Sequence, residues 1–312
     1  MYATVTDMKL RHWVVVGAIA TVVIFLTVIL YMFMISPIVL QPSGSVGMKQ
    51  RDLFVAATII MSLVVIPVFV LLFYIAWKYR ATNKKATYTP DWQSNKLLET
   101  IWWGVPIIIV VVLSVIAYRS SHSLDPFRSL DSPVAPVRVQ VVALQWKWLF
   151  IYPDHNVASV NELVIPVSTP ITFEITADAP MNSFWIPELG GQVYAMNGMT
   201  TELNLEANRI GDFKGVSANI SGEGFADMKF TVRAVDNTRF LSTMKQKNAD
   251  TPPIDMIRYE ALAEPSVLTE PQWFRLAESD LHNKIVHKYM LPAEEAAGYD
   301  DSTMDMNHGE MH

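Results

Sequence analysis

The stretch Val137-Arg-Val-Gln-Val-Val-Ala-Leu-Gln-Trp-Lys-Trp-Leu-Phe-Ile151 is dense in β-branched and aromatic residues, alternates in part, and stops at Pro153-Asp154. Such a run reads as strand structure in a packed sheet. Shorter runs of the same character follow it: Glu162–Val167, Ile171–Thr176, Ser183–Ile186, Thr200–Leu205 and Met228–Val235. Pro170, Pro180, Gly190, Gly191, Gly211 and Gly222 separate them. Several short strands at this spacing predict a β-sandwich or barrel over residues 125–236. From residue 237 to 292 the pattern turns polar, with scattered apolar faces (Leu241, Met244, Phe274, Leu281, Ile285), and predicts a helical C-terminal extension. Residues 293–312 carry six acidic side chains and little that can pack, and are expected to be disordered.

Upstream the chain is of another kind. Trp13–Ile35, Leu53–Trp77 and Ile101–Tyr118 are free of charge and almost wholly apolar. About 20 apolar residues suffice to span the hydrocarbon core as a helix. Residues 51–120 therefore predict a transmembrane helical hairpin, with Pro67 and Pro106 tolerated inside it. Trp77, Trp102, Trp103 and Tyr118 lie near the ends, where amphipathic rings favour the headgroup region. Lys78, Arg80, Lys84, Lys85 and Lys96 stand between the second and third segments, so this loop is cytoplasmic by the positive-inside rule and everything after about residue 120 lies outside. Residues 1–50 hold the first segment, read as an extra transmembrane helix; a secretory signal is the alternative.

Composition agrees with an anchor plus a water-soluble domain. Of 312 residues 51% are hydrophobic and 17% charged, and the net charge is −6 with no long basic run, which excludes nucleic acid as a partner. Cysteine is absent, so disulfides, thiolate metal centres, thiol nucleophiles and cysteine-linked lipid or haem are excluded.

Four segments in order resemble subunit II of the haem-copper terminal oxidases. Glu99-Thr-Ile-Trp-Trp-Gly-Val-Pro106 resembles the start of that family's second membrane helix, and Leu144-Gln-Trp-Lys-Trp-Leu-Phe150 its tryptophan-rich strand. Met181-Asn-Ser-Phe-Trp-Ile-Pro187 and Gly215-Val-Ser-Ala-Asn-Ile-Ser-Gly-Glu-Gly-Phe-Ala-Asp-Met228 resemble the two segments that hold the family's dinuclear copper. The resemblance implies a membrane-anchored α+β chain: the hairpin, then a cupredoxin-like sandwich on the periplasmic side of a bacterial inner membrane.

Where copper-binding relatives read Cys-x-Glu-x-Cys-x-x-x-His-x-x-Met with a distant histidine, this chain has Ser217, Asn219, Ser221, Phe225 and Met228, with Asn182 at the distant place. Neutral hydroxyls and amides are poor ligands for a soft copper pair that needs bridging thiolates. This departure, and an extension running from Pro265 to Met290, resemble the bo-type ubiquinol oxidase subunit II. That implies no cofactor in this chain, haem and copper in a partner subunit I, ubiquinol as the substrate of the complex, and other small membrane subunits beside it. A membrane-anchored periplasmic copper-binding or oxidase-assembly protein is the alternative.

In the family, the glutamate matching Glu99 sits at the mouth of a proton channel into subunit I; by position alone Glu99 is a helix-start carboxylate. Trp146 and Trp148 alternate about Lys147 and are expected to share one face of a strand as core. Met304 to His312 is rich in methionine and histidine and is a weak candidate for metal. His282 and His287 are five apart, do not share a helical face, and are expected at the surface.

Overall fold

The computed structural model describes residues 27, 31, 37–87, 89, 94–268 and 270–290. Nearly all of the first apolar segment, Trp13–Ile35, and the tail from 293 to 312 thus lie outside the described residues. The chain divides into two compact units, one of residues 1–128 with 187–190 and the other of the remaining residues.

The first unit contains helices α1, Ser45–Lys78, and α2, Lys96–Ser123. Both are long and apolar enough to cross a membrane. At 1.5 Å per residue, α1 exceeds the ~30 Å hydrocarbon core, and its polar first turns precede the apolar run. Large apolar side chains are exposed all round both helices, including Phe54, Ile59, Leu63, Ile66, Phe69, Ile107, Ile108 and Val111. A helix apolar on every face needs a lipid or protein cover. Hydroxyls within the helices bond back to the preceding turn, as Thr58 Oγ1 does to Phe54 O (2.7 Å) and Ser62 Oγ to Thr58 O (2.7 Å). These two hydroxyls are satisfied within the helix and do not depend on water. Asn95 caps α2, its side-chain oxygen accepting from Leu97 N and Leu98 N at 3.1 Å.

The second unit is a two-sheet sandwich followed by the extension. Its strands are β1 Val137–Leu144, β2 Lys147–Tyr152, β3 Val157–Val160, β4 Glu162–Pro166, β5 Ile171–Ala177, β6 Asn182–Trp185, β7 Val193–Ala195, β8 Thr201–Leu205, β9 Gly211–Ser217, β10 Lys229–Val235, β11 Pro253–Ile254 and β12 Gln272–Leu276. One sheet runs β11-β12-β3-β2-β1-β5-β8 and the other β4-β10-β9-β6-β7. β1 pairs in parallel with β5, and β4 with β10. Three helices follow the sandwich: α3 Asn237–Asp250, α4 Met256–Ala263 and α5 Leu281–His287.

The run from Val137 to Ile151 is two strands, not one. Gln145-Trp146 is a two-residue turn, and Leu144 pairs with Lys147 across it. Every residue of β2 is buried. Trp148 and Phe150 point between the sheets and meet Phe184 and Phe230, whose rings stack at 5.2 Å. Leu149 and Ile151 join Val142, Ala158 and Val160 in a second core, against Ile254, Tyr259, Phe274, Leu281 and Ile285 of the extension. A strand with both faces covered reads as a continuous apolar run rather than a clean alternation.

The helical extension is therefore also partly strand. β12 pairs with β3, Trp273 opposite Ser159 and Phe274 opposite Ala158, and β11 continues the sheet. An open β3 would present unpaired backbone groups, and the aromatic pair in Gln272-Trp-Phe-Arg-Leu276 suits a strand that closes it.

Asp178, just past β5, fixes the end of the extension. Its side chain is 2% exposed and accepts from Tyr259 Oη (2.7 Å), from Lys288 Nζ (3.0 Å to each oxygen) and from Tyr289 Oη. Burial alone would push this carboxyl up, but the hydrogen bonds from Tyr289, Tyr259 and Lys288 outweigh it and hold it below the ordinary carboxylate value. A carboxyl depressed on folding stabilises the fold above its unfolded value of ~3.9 and loses that contribution as pH falls through the lower folded one. Asp178→Asn is expected to cost about 2 kcal/mol near neutral pH, since it leaves the buried Tyr259 hydroxyl poorly paired. Thermal unfolding of the parent and Asp178→Asn chains is the check. The gap between them should shrink on acidification from pH ~5 to ~2, and a gap indifferent to pH would refute the assignment.

Candidate functional site

Of the positions singled out in the Gly215–Met228 segment, Ser217, Asn219 and Met228 meet at one end of the five-stranded sheet. Ser217 ends β9 and Asn182 begins β6, and these strands pair, Phe184 lying opposite Ser217. Asn182 is wholly buried and Ser217 is 7% exposed. Ser217 Oγ donates to Asn182 Oδ1 at 2.5 Å, and Asn182 Nδ2 donates to Pro180 O at 3.0 Å. Asn219 Nδ2 bonds Met181 O at 2.9 Å, which ties the loop to the segment before β6. Ser217 N donates to Met228 O at 3.2 Å, so the loop closes on itself. Phe225 lies in the 3-10 turn Glu223–Asp227, and Met228, 1% exposed, packs as core. Ser221 Oγ is buried with no hydrogen-bond partner among the described residues.

These residues do not fit a dinuclear copper centre. Two bridging thiolates are its chemical requirement, and hydroxyls stand at both places. The Ser217 hydroxyl and the Asn182 amide are bonded to each other instead. Among the described residues no group of three or more His, Asp or Glu side chains converges on a common point.

Trp146 is also part of this loop, and not of the strand face expected for it. It occupies the β1–β2 turn with φ 67°, a conformation uncommon for a bulky residue. Its indole N–H donates to Ser221 O at 3.2 Å. Its ring covers Gly222 and Gly224; a Cβ on Gly224 would come within 2.3 Å of it. Only glycine permits that approach. Gly222 and Gly224 were the available sequence signal for a close neighbour. Trp148 does lie in the core, and Lys147 between them is buried too. Its ammonium donates to Glu264 O (2.8 Å) and to Ser266 Oγ, and burial lowers its pKa, offset in part by the Glu264 charge. The tryptophans thus diverge because Trp146 lies in the turn itself and Trp148 in the strand that follows it.

Glu99 is far simpler. It stands in the first turn of α2, half-buried, its backbone N–H donating to Asn95 O at 2.9 Å. Its carboxylate makes no hydrogen bond or ion pair among the described residues. His282 differs from the expectation of a surface residue, being 3% exposed. Leu281, His282, Ile285 and Val286 form the buried face of α5, so the ring is carried inward by its helix. Burial lowers its pKa, the Glu174 charge partly opposing. His287 is exposed, and the Met304–His312 tail lies outside the described residues.

Three family descriptions match stretches of the chain. The description "Cytochrome C oxidase subunit II, transmembrane domain" matches residues 31–119, and "Cytochrome C oxidase subunit II, periplasmic domain" matches 155–235. A third, "COX Aromatic Rich Motif", matches 249–293 and so covers the extension that packs on β2 and β3. The chain is 48% identical over 267 residues to the cytochrome bo(3) ubiquinol oxidase subunit 2 of Pseudomonas putida, covering 84% of this chain and 85% of that one. It is 45% identical to the corresponding subunit of Pseudomonas aeruginosa, over 80% of this chain and 75% of that one. The ubiquinol oxidase subunit 2 of Acetobacter aceti is also 45% identical, with 80% and 82% covered. With both membrane helices, the sandwich and the extension all accounted for, the chain belongs to the subunit II family of terminal oxidases, among its quinol oxidase members.

Proposed function

We propose that this chain is subunit II of a proton-translocating quinol oxidase in a bacterial inner membrane. Its C-terminal domain faces the periplasm, and it supports a subunit I in which haem and copper carry the oxidation of ubiquinol and the reduction of oxygen. The observation that carries the reading is the bonded pair Asn182–Ser217, on a chain of this family, at the positions where copper-binding members hold ligands. A chain that relayed electrons from a water-soluble donor would need a metal there. A quinol delivers its electrons from within the bilayer and makes an outer relay dispensable. The copper-carrier reading needs ligands in the sandwich, and those residue types do not supply them.

Restoring the ligands is the first test. Asn182→His, Ser217→Cys, Asn219→Glu, Ser221→Cys and Phe225→His, with Met228 kept, are expected to take up two coppers with the spectrum of a thiolate-bridged pair. The parent chain should give no such spectrum. Absorbance and electron paramagnetic resonance after copper addition decide it. A folded variant without copper would show that the loop has drifted from the family's geometry, and a dinuclear signal in the parent would refute the proposal.

Glu99 is assigned to proton uptake from the cytoplasmic side, at the start of a helix expected to lie against subunit I. The competing role, a carboxylate that merely favours the helix N-terminus, is worth about 0.3–1 kcal/mol. Glu99→Gln keeps size and hydrogen bonding and removes the titration. Slower quinol oxidase turnover per haem is expected, with assembly and haem content unchanged, and Glu99→Asp should be milder. Oxygen consumption normalised to haem measures this, and parent-like turnover in Glu99→Gln would remove the proton role.

A further inference from the structure

A cleft on the outer domain, whose lining includes none of the degenerate copper positions, is built from four elements. Arg239, Thr243 and Lys247 lie at i, i+4 and i+8 on α3 and so share one helix face. All three line the cleft, with Arg233 of β10, Glu162 of β4 and Trp273 of β12 opposite.

The charges in the cleft are unequal in their commitments. Glu162 is nearly buried and uses both oxygens: Oε1 meets Arg233 Nη1 at 3.1 Å, and Oε2 accepts from Trp273 Nε1 at 2.7 Å. Arg233 also reaches Asp212, at 3.4 Å. That carboxylate and that guanidinium neutralise each other. Arg239 and Lys247 have no ion-pair partner among the described residues. Lys247 is half-buried, its ammonium 5.1 Å from the centre of the Trp273 ring. Arg239 stands in the first turn of α3, where a cation opposes the helix dipole and where no acidic side chain follows the cap. Asp236 caps the Arg239 N–H at 2.8 Å. Two cations without an ion-pair partner among the described residues, one of them placed against its helix dipole, therefore line the same space.

We propose that this cleft binds a phosphate group. A guanidinium fork, an ammonium and the Thr243 hydroxyl supply donors for several oxygens of one oxyanion. The indole of Trp273 forms an apolar wall beside them. The cavity volume is about 110 Å³, well above the roughly 10–15 Å³ needed on that measure to hold one water molecule, so there is room for a tetrahedral oxyanion beside these side chains. The group belongs either to free phosphate or to a phospholipid headgroup.

The test is isothermal titration calorimetry on the full-length chain in detergent, at fixed ionic strength, with two probes: inorganic phosphate and monomeric dihexanoyl phosphatidylglycerol. Saturable binding of at least one probe is expected. The double variant Arg239→Gln, Lys247→Gln should weaken it at least tenfold. Thr243→Glu, which sets a carboxylate into the cleft, should do likewise, whereas Lys229→Gln, a surface cation outside it, should leave it unchanged. Near-UV circular dichroism shows that each variant is folded. Lipid binding at least tenfold tighter than phosphate assigns the headgroup, and phosphate binding as tight or tighter assigns the free anion. Failure of both probes to bind the parent, or undiminished binding in both cleft variants, overturns the proposal.

Discussion

Burial of β2 on both faces is the constraint from which the outer domain follows. One face, Trp148 and Phe150, closes the sandwich against the second sheet, and the other, Leu149 and Ile151, needs a further layer. At about 25 cal/mol per Å² of apolar surface, a row of leucine- and isoleucine-sized side chains left in water would cost several kcal/mol. The C-terminal extension supplies that layer. It follows that the extension is a third layer of the same fold, pinned by Asp178 at one end and by Lys147 at the linker before β12. Both pins are charged groups taken out of water, and both are satisfied by several partners, which is the condition for burying them.

This layering also explains what could be read from the sequence. The membrane helices were legible because hydropathy over twenty residues is a strong signal and lipid demands little else. The long strands β4, β5, β8 and β10 were legible from β-branched runs between turn residues. β3, β7 and β9 were not, being short, or carrying polar residues such as Asp212 and Lys214. The turn at Gln145-Trp146 was hidden because it lacks glycine, proline and asparagine, and a tryptophan at positive φ is held there only by the loop across from it. Strand β12 was hidden because a sheet edge recruits five residues by tertiary contact, against a helical background. His282 was misplaced for a related reason: seven residues are too few to show which face of α5 is inward.

The copper-like loop and the segment beside it hold uncharged polar side chains, Asn182, Ser217, Asn219 and Ser221, at the places where the family resemblance implies ligands. These positions come from the family resemblance, and Ser217 Oγ lies within hydrogen-bond distance of Asn182 Oδ1 and of Asn219 O. Polar atoms left behind in a buried place must be paired or cost about 1–3 kcal/mol each. Serine against asparagine meets that demand with groups of modest size and no charge. Trp146 shields the same loop by lying over Gly222 and Gly224, a contact that no spacing rule could have supplied.

The pairing of β12 with β3 has a consequence for how the protein is made. Trp273 meets Ser159 across more than a hundred residues of chain. During vectorial export β3 emerges early and its outer edge stays open until the last strand arrives, while the apolar outer face of β2 stays uncovered as well. Non-local pairing of this kind slows folding, and an open edge beside an apolar face is the usual route to aggregation. A chain truncated before residue 272 would leave that edge open for its whole lifetime.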